Sequence, residues 1–221
     1  MPISTPPSAM PPAVSRANVK GIIFDCDGVI IDSSAANTAF YNRIRACFDL
    51  PPMTPEQETY THMATVHQSL AEVIPQEFHS QLYDVCRTKV NYSRDILPMI
   101  VLEEGLLDFV RWLRDTGIRA AVDTNRFDGM PPLLERFQIG PYFDPVVTAA
   151  IVPPKPAPDG VRHVQQAWGM AAEDLLFIGD SLMDAETAAN AGVRFVAYKN
   201  PELSACLHIG AFSQLQALLQ V

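Results

Sequence analysis

The sequence predicts an α/β fold: a doubly wound parallel-sheet core with an all-helical module inserted near its start. Three observations carry this expectation. Short apolar runs recur along the chain with helical patterns between them, the alternation that builds parallel sheets. One interval, residues 34–99, shows helical periodicity and no strand pattern. Two of the apolar runs end in aspartates, at strand tips where open α/β sheets bind their ligands. The 221 residues are 48% hydrophobic and 19% charged, with a net charge of -9. This is a globular composition, long enough to bury a core. The acidic balance argues against a nucleic-acid partner, which needs a basic face. No apolar run reaches the roughly 20 residues of a membrane span. An anionic small molecule is not excluded, because a bound metal reverses the local field.

Taken in order, residues 1–18 come first, with Pro2, Pro6, Pro7, Pro11 and Pro12 among serines. They read as a disordered, extended leader outside the fold. Lys20-Gly21-Ile22-Ile23-Phe24-Asp25 is the first buried strand. Within 34–99, Ala36, Phe40, Ile44 and Phe48 make one helical stripe, and Phe78, Leu82, Val85 and Val90 another. Thr54-Pro55-Glu56-Gln57 has the pattern of a helix start. The core then comprises 19–33 plus 100–221, and a helical cap at 34–99 lies above the strand tips as a lid. Its hinges are expected near Ser33 and residues 99–102. Further strand runs occur at Ile118–Val122, Pro145–Thr148, Leu175–Ile178 and Arg194–Tyr198, with helical faces that stop at Gly117, Gly169 and Gly192. Cys26, Cys47, Cys86 and Cys206 form no C-x-x-C pair. They read as free thiols in a reducing compartment, and strand alternation turns Cys26 into the core.

The chemistry concentrates at four strand ends. Asp25 and Asp27 follow the first strand, and Gly179-Asp180-Ser181, with Asp184 a turn later, follows the fourth. Paired carboxylates at the end of an apolar strand are unfavourable unless a cation neutralises them. If the two strands are neighbours, Asp25, Asp27 and Asp180 converge on a hard-cation site whose oxygen donors suit Mg²⁺ better than zinc. Thr124 and Asn125 close the second run, and the proline-rich loop Pro153-Pro154-Lys155-Pro156 presents one lysine. A hydroxyl and a lysine that hold phosphate oxygens, beside a metal that neutralises them, describe phosphoryl transfer. Asp32 and Ser33 read as the N-cap of the first cap helix. Asp184 reads equally as a cap or as a support for the site.

These segments, in this order, resemble the haloacid dehalogenase superfamily. The pair D-x-D-G-V-x-x-D-S and G-D-S-x-x-D-x-x-x-A-x-x-A-G carries the likeness, with T-N and K-P-x-P between them. More narrowly the chain resembles the branch with a Rossmann-like core and helical cap that contains phosphoglycolate phosphatase and β-phosphoglucomutase. The resemblance implies that Asp25 is the nucleophile, forming an aspartyl-phosphate, and that Asp27 is the general acid and then the base. It implies Mg²⁺ held by Asp25, the backbone carbonyl of Asp27, and Asp180, with Asp184 behind them. Thr124, Asn125 and Lys155 would grip the phosphate, together with backbone N–H groups around Gly28.

The expected function is Mg²⁺-dependent hydrolysis of a small phosphorylated metabolite in the cytoplasm, by a monomer or homodimer. Asp27 argues against a dehalogenase, which needs no second acid there. A sugar phosphomutase shares the segments, but it carries a histidine in its first cap helix where this chain aligns Asn37. A non-catalytic binding protein on the same fold would have lost Asp25, Asp27, Lys155 or Asp180, and none is lost. Asp123 and Glu104-Gly105 depart from the pattern of the relatives.

Overall fold

The computed structural model describes residues 14–127 and 129–220. Most of the leader, residues 1–13, lies outside the described residues; its last part includes a short 3-10 turn at Arg16–Asn18. Strand β1 (Gly21–Phe24) is buried along its whole length. A two-residue strand, β2 (Ile31–Asp32), then leads into the helical interval. There the chain forms α1 (Ser34–Ala46), α2 (Pro55–Met63), α3 (Val66–Val73) and α4 (Leu82–Lys89). The Thr54 side chain accepts a hydrogen bond from the backbone N–H of Gln57, as its helix-start pattern predicts. The Phe48 and Phe78 rings stack across this module, with centroids 4.7 Å apart. Strand β3 (Val101–Leu102) returns the chain to the core and pairs antiparallel with β2, Asp32 opposite Val101. The two expected crossing points therefore lie side by side.

The remaining chain alternates as its periodicity predicts. It runs through α5 (Leu106–Thr116), β4 (Arg119–Thr124), α6 (Met130–Phe137), β5 (Val146–Thr148), α7 (Asp159–Trp168) and β6 (Leu175–Gly179). It ends with α8 (Leu182–Ala191), β7 (Arg194–Tyr198), β8 (Leu207–Ile209) and α9 (Phe212–Leu219). Six strands form one parallel sheet in the order β5-β4-β1-β6-β7-β8. Residue alternation along β1 divides the core into two layers. Ile22 and Phe24 face α5 and α9, where Phe24 packs against Phe109, Phe143 and Phe212. Ile23 faces Val161, Val164 and Trp168 of α7 and Ala188 of α8. Cys26 is fully buried in the Phe24 layer, as alternation predicts.

Strand β1 lies between β4 and β6, with Phe24 level with both Val122 and Ile178. That register brings the tips of the three strands together. It also sets Asp123 inside the fold. Its carboxylate is 2% exposed, Oδ2 has no hydrogen-bond partner, and a Cβ added at Gly160 would lie 2.1 Å from Oδ1. Only glycine fits there, in the first turn of α7, where the positive end of the helix dipole faces the carboxylate. Asp123 thus lies beneath the strand tips, in space left free by Gly160 and close enough to Lys155 to feel its charge.

Burial pushes the Asp123 carboxyl up to about 6. Its unfolded value is about 3.9, so the destabilisation develops as pH rises from about 4 to about 6 and is complete above that. Asp123→Asn is therefore expected to stabilise the fold by on the order of 1–2 kcal/mol at pH 7.5. The gain should vanish near pH 4, as read by urea denaturation at both pH values.

Candidate active site

The loop after β1 turns tightly. The backbone N–H groups of Ile30 and Ile31 donate to the Cys26 carbonyl at 2.9 and 3.0 Å, and that of Gly28 donates to Ile31 at 2.8 Å. Gly28 has φ +78°, and a Cβ there would lie 2.0 Å from Asp180 Oδ2. Both the left-handed backbone and the close approach demand glycine. The tips of β1 and β6 can press together only because that side chain is missing.

At this junction three acids and one lysine meet. Lys155 Nζ donates to Asp25 Oδ1 at 2.6 Å and to Asp184 Oδ1 at 2.5 Å. Ligand oxygens of Asp25, Asp180 and Asp184 all lie within 4.8 Å of one another. Burial, and then the Asp184 charge, push the Asp25 carboxyl well above the usual carboxylate range, with Lys155 opposing. The same two causes raise Asp180 to about 7. Burial alone would lower the lysine, but the charges of Asp184 and Asp25 outweigh it and hold the ammonium charged. With all groups ionised, three carboxylates against one ammonium leave two negative charges uncompensated. An all-oxygen donor set with that charge fits a divalent hard cation.

Asp184 has partners on both sides. Its Oδ2 accepts from the backbone N–H of Ser181 at 3.1 Å and from its hydroxyl at 2.6 Å, capping α8. Its Oδ1 reaches Lys155. Thr124 ends β4 beside the cluster, lines the cavity and accepts from the Arg126 N–H at 3.1 Å. Asn125 is a strut: its Oδ1 accepts from the Lys155 backbone N–H at 2.7 Å and so ties the β4 tip to the lysine loop.

The Asp27 side chain takes a different set of partners. Arg126 grips it in bidentate fashion, Nε to Oδ2 at 2.8 Å and a terminal nitrogen to Oδ1 at 2.7 Å. The third guanidinium nitrogen donates to the Tyr92 hydroxyl at 2.7 Å, so a cap residue joins the network. Ser33 Oγ also donates to Asp27. Burial raises the Asp27 carboxyl, but the Arg126 charge and these hydrogen bonds outweigh it and hold the group below its ordinary range. The expected N-cap pair thus divides. Asp32 Oδ1 accepts from the N–H and hydroxyl of Ser34 at 3.0 and 2.6 Å, whereas Ser33 occupies the cap position with its side chain committed to Asp27. The sequence reading assigned no role to Arg126, Tyr92 or this use of Ser33. The one signal for them was that Arg126 directly follows the Thr124-Asn125 pair.

Above these groups is a cavity of about 740 Å³, floored by Asp25, Asp27, Thr124, Lys155 and Asp180 and roofed by the helical interval. The haloacid dehalogenase-like hydrolase family matches residues 22–198. The chain belongs to that family. Within it, the chain falls in the phosphatase branch. It is 30% identical over 188 residues to a phosphoglycolate phosphatase of Pseudomonas putida (79% of this chain, 67% of that one). It is 28% identical over 209 residues to that of Rhodobacter capsulatus, spanning 89% and 94% of the two chains. Among solved structures, a haloacid dehalogenase superfamily hydrolase of subfamily IA from Geobacter sulfurreducens superposes with TM-score 0.74 and 33% identity, over 91% of this chain and 96% of that one. CbbY from Rhodobacter sphaeroides, solved with phosphate, shares the fold at TM-score 0.75 and 20% identity, over 92% and 100% of the two chains. Among the described residues, no helix is long and apolar enough to cross a membrane.

The Arg126–Asp27 pair is largely screened from water, with side-chain exposures of 13% and 23%. Removing one partner leaves a mostly buried charge, so Arg126→Gln should destabilise the fold by about 1–3 kcal/mol. Asp27→Asn should partly offset that loss in the double variant. A coupling on the order of 0.5–3 kcal/mol in a urea-denaturation cycle checks the contact.

Proposed function

We propose that this protein is a Mg²⁺-dependent phosphatase that hydrolyses a small phosphomonoester through an aspartyl-phosphate on Asp25. The observation that supports this most is the position of Asp25. It ends the central strand, 2.6 Å from the Lys155 ammonium, with a second acid two residues on. Asp25 attacks phosphorus, and Lys155 and Thr124 hold the equatorial oxygens as charge moves onto the leaving oxygen. Asp27 gives its proton to that oxygen, and in the second half-reaction it takes one from the attacking water. To act as the acid it must first leave the Arg126 grip and take up a proton from solvent, because a carboxylate held by a guanidinium carries none. Asp25, Asp180 and Asp184, with the Asp27 carbonyl, would hold the cation. When bound, it supplies charge neutralisation for the phosphoryl group.

Hydrolysis rather than mutase transfer is favoured by Asn37, which lines the cavity and has no proton to shuttle. The free cysteines Cys26, Cys47, Cys86 and Cys206 suit a cytoplasmic setting. The names of the relatives make phosphoglycolate the first ester to assay.

Asp25→Asn should abolish turnover, and exhaustive chelation should do the same to the parent protein, with Mg²⁺ restoring it and Ca²⁺ restoring it poorly. Asp27→Asn should lose on the order of 10²–10⁴ in rate. With an activated aryl ester it should accumulate a single phosphoryl group on Asp25, read by intact-protein mass spectrometry after an acid quench. Finding that group on another residue, or full activity in Asp25→Asn, would refute the mechanism.

A further inference from the structure

The cavity is larger and more apolar than a two-carbon acid requires. Its volume, about 740 Å³, lies within the range of about 300–1,000 Å³ typical of sites that enclose drug-sized ligands. Away from the aspartates its wall is built by the helical interval, with Phe40 from α1, Leu70 from α3 and Leu82 from α4. Three large apolar side chains that line it stand open to water: Val66 is 47% exposed, Tyr83 75% and Phe127 64%. Val66 and Tyr83 come from the cap and Phe127 from the core, so the apolar surface lies on both modules. Exposed apolar side chains beside a cavity favour a ligand that covers them.

The charges in the wall point the same way. Among the described residues lining the cavity, the full cations are Lys155 and Arg126. Lys155 is paired with Asp25 and Asp184 beside the phosphate floor, and Arg126 holds both oxygens of Asp27. Arg87, with its guanidinium 5.8 Å from the centre of the Tyr83 ring, is not part of the lining. The other basic side chains in the lining are the imidazoles of His62, His67 and His79, and His79 already contacts the Ile74 carbonyl at 2.7 Å. A second substrate anion such as a carboxylate would enter an apolar chamber with no committed countercharge, which is unfavourable.

We infer that this chamber takes the alcohol portion of the substrate, and that the substrate is a phosphomonoester carrying an apolar, ring-sized group without a second anionic group. The inference rests on the phosphatase reading above. It departs from phosphoglycolate, the ester in the relatives' names.

The test compares benzyl phosphate, ethyl phosphate and phosphoglycolate, with the full chain and Mg²⁺. Benzyl and ethyl alcohols are similar leaving groups, so their ratio reads binding of the ring rather than ease of cleavage. The expected kcat/KM for benzyl phosphate exceeds that for ethyl phosphate by on the order of 10–100-fold, with phosphoglycolate below benzyl phosphate. Tyr83→Ala and Phe127→Ala should each lower the benzyl-to-ethyl ratio severalfold through KM, and Tyr83→Phe should restore it. A ratio near one, or preference for phosphoglycolate over benzyl phosphate, would overturn the inference and leave the phosphatase reading intact. If none of the three esters turns over, calorimetry with benzylphosphonate and ethylphosphonate decides the inference, and inertness toward an activated aryl phosphate as well would count against the phosphatase reading. Binding about tenfold or more tighter for benzylphosphonate supports it, and equal binding overturns it.

Discussion

Everything at the strand tips depends on one ammonium shared between two buried carboxylates. Lys155 is 6% exposed and bonds Asp25 and Asp184 at once. Without it, the acids of β1 and β6 would face one another with nothing to offset their repulsion. The surrounding loops exist to hold that lysine. Asn125 fixes its backbone, Ser181 fixes the Asp184 carboxylate, and Phe177 lies under the ammonium at 5.8 Å. The lysine offsets only part of the charge. The excess that remains makes a divalent cation a natural occupant of the cluster.

The second acid is controlled separately. Asp27 belongs to the core, but its environment is completed from the helical interval, because Arg126 bridges it to Tyr92. A rigid-body displacement of that interval would carry the Tyr92 hydroxyl away and loosen the guanidinium. The setting of the Asp27 carboxylate and the position of the helical interval are therefore linked through one side chain.

Much of this was legible in the sequence, for physical reasons. Strands β1 and β6 are buried throughout, so their sequences are continuous apolar runs, and the acids at their ends stand out against that background. Asp25 and Asp180 stand out because burial of a charge in such surroundings needs a reason, and Lys155 because it is the one lysine of a proline-rich loop. Strand β8 was missed because three residues of mixed burial at a sheet edge are too few to carry a pattern. Helix α6 was missed: it opens on Pro131 and Pro132, which fit only a first turn, where their lost N–H groups are unpaired anyway. Arg126 offers no sign of its role in the sequence, since that role is a contact across 99 residues. Tyr92 sits in an irregular turn, where no periodicity points at anything.

The pairing of β2 with β3 has one more consequence. The interval 34–99 leaves and re-enters the core through adjacent antiparallel strands, so its two ends are about one strand spacing, near 5 Å, apart. For the sheet, such an insert is equivalent to a hairpin loop, and closing it costs little more as it lengthens. The catalytic tips could therefore accept a different roof without any change in the six-stranded sheet. Over evolution, such a roof can be exchanged as a cassette while the sheet beneath it stays in place.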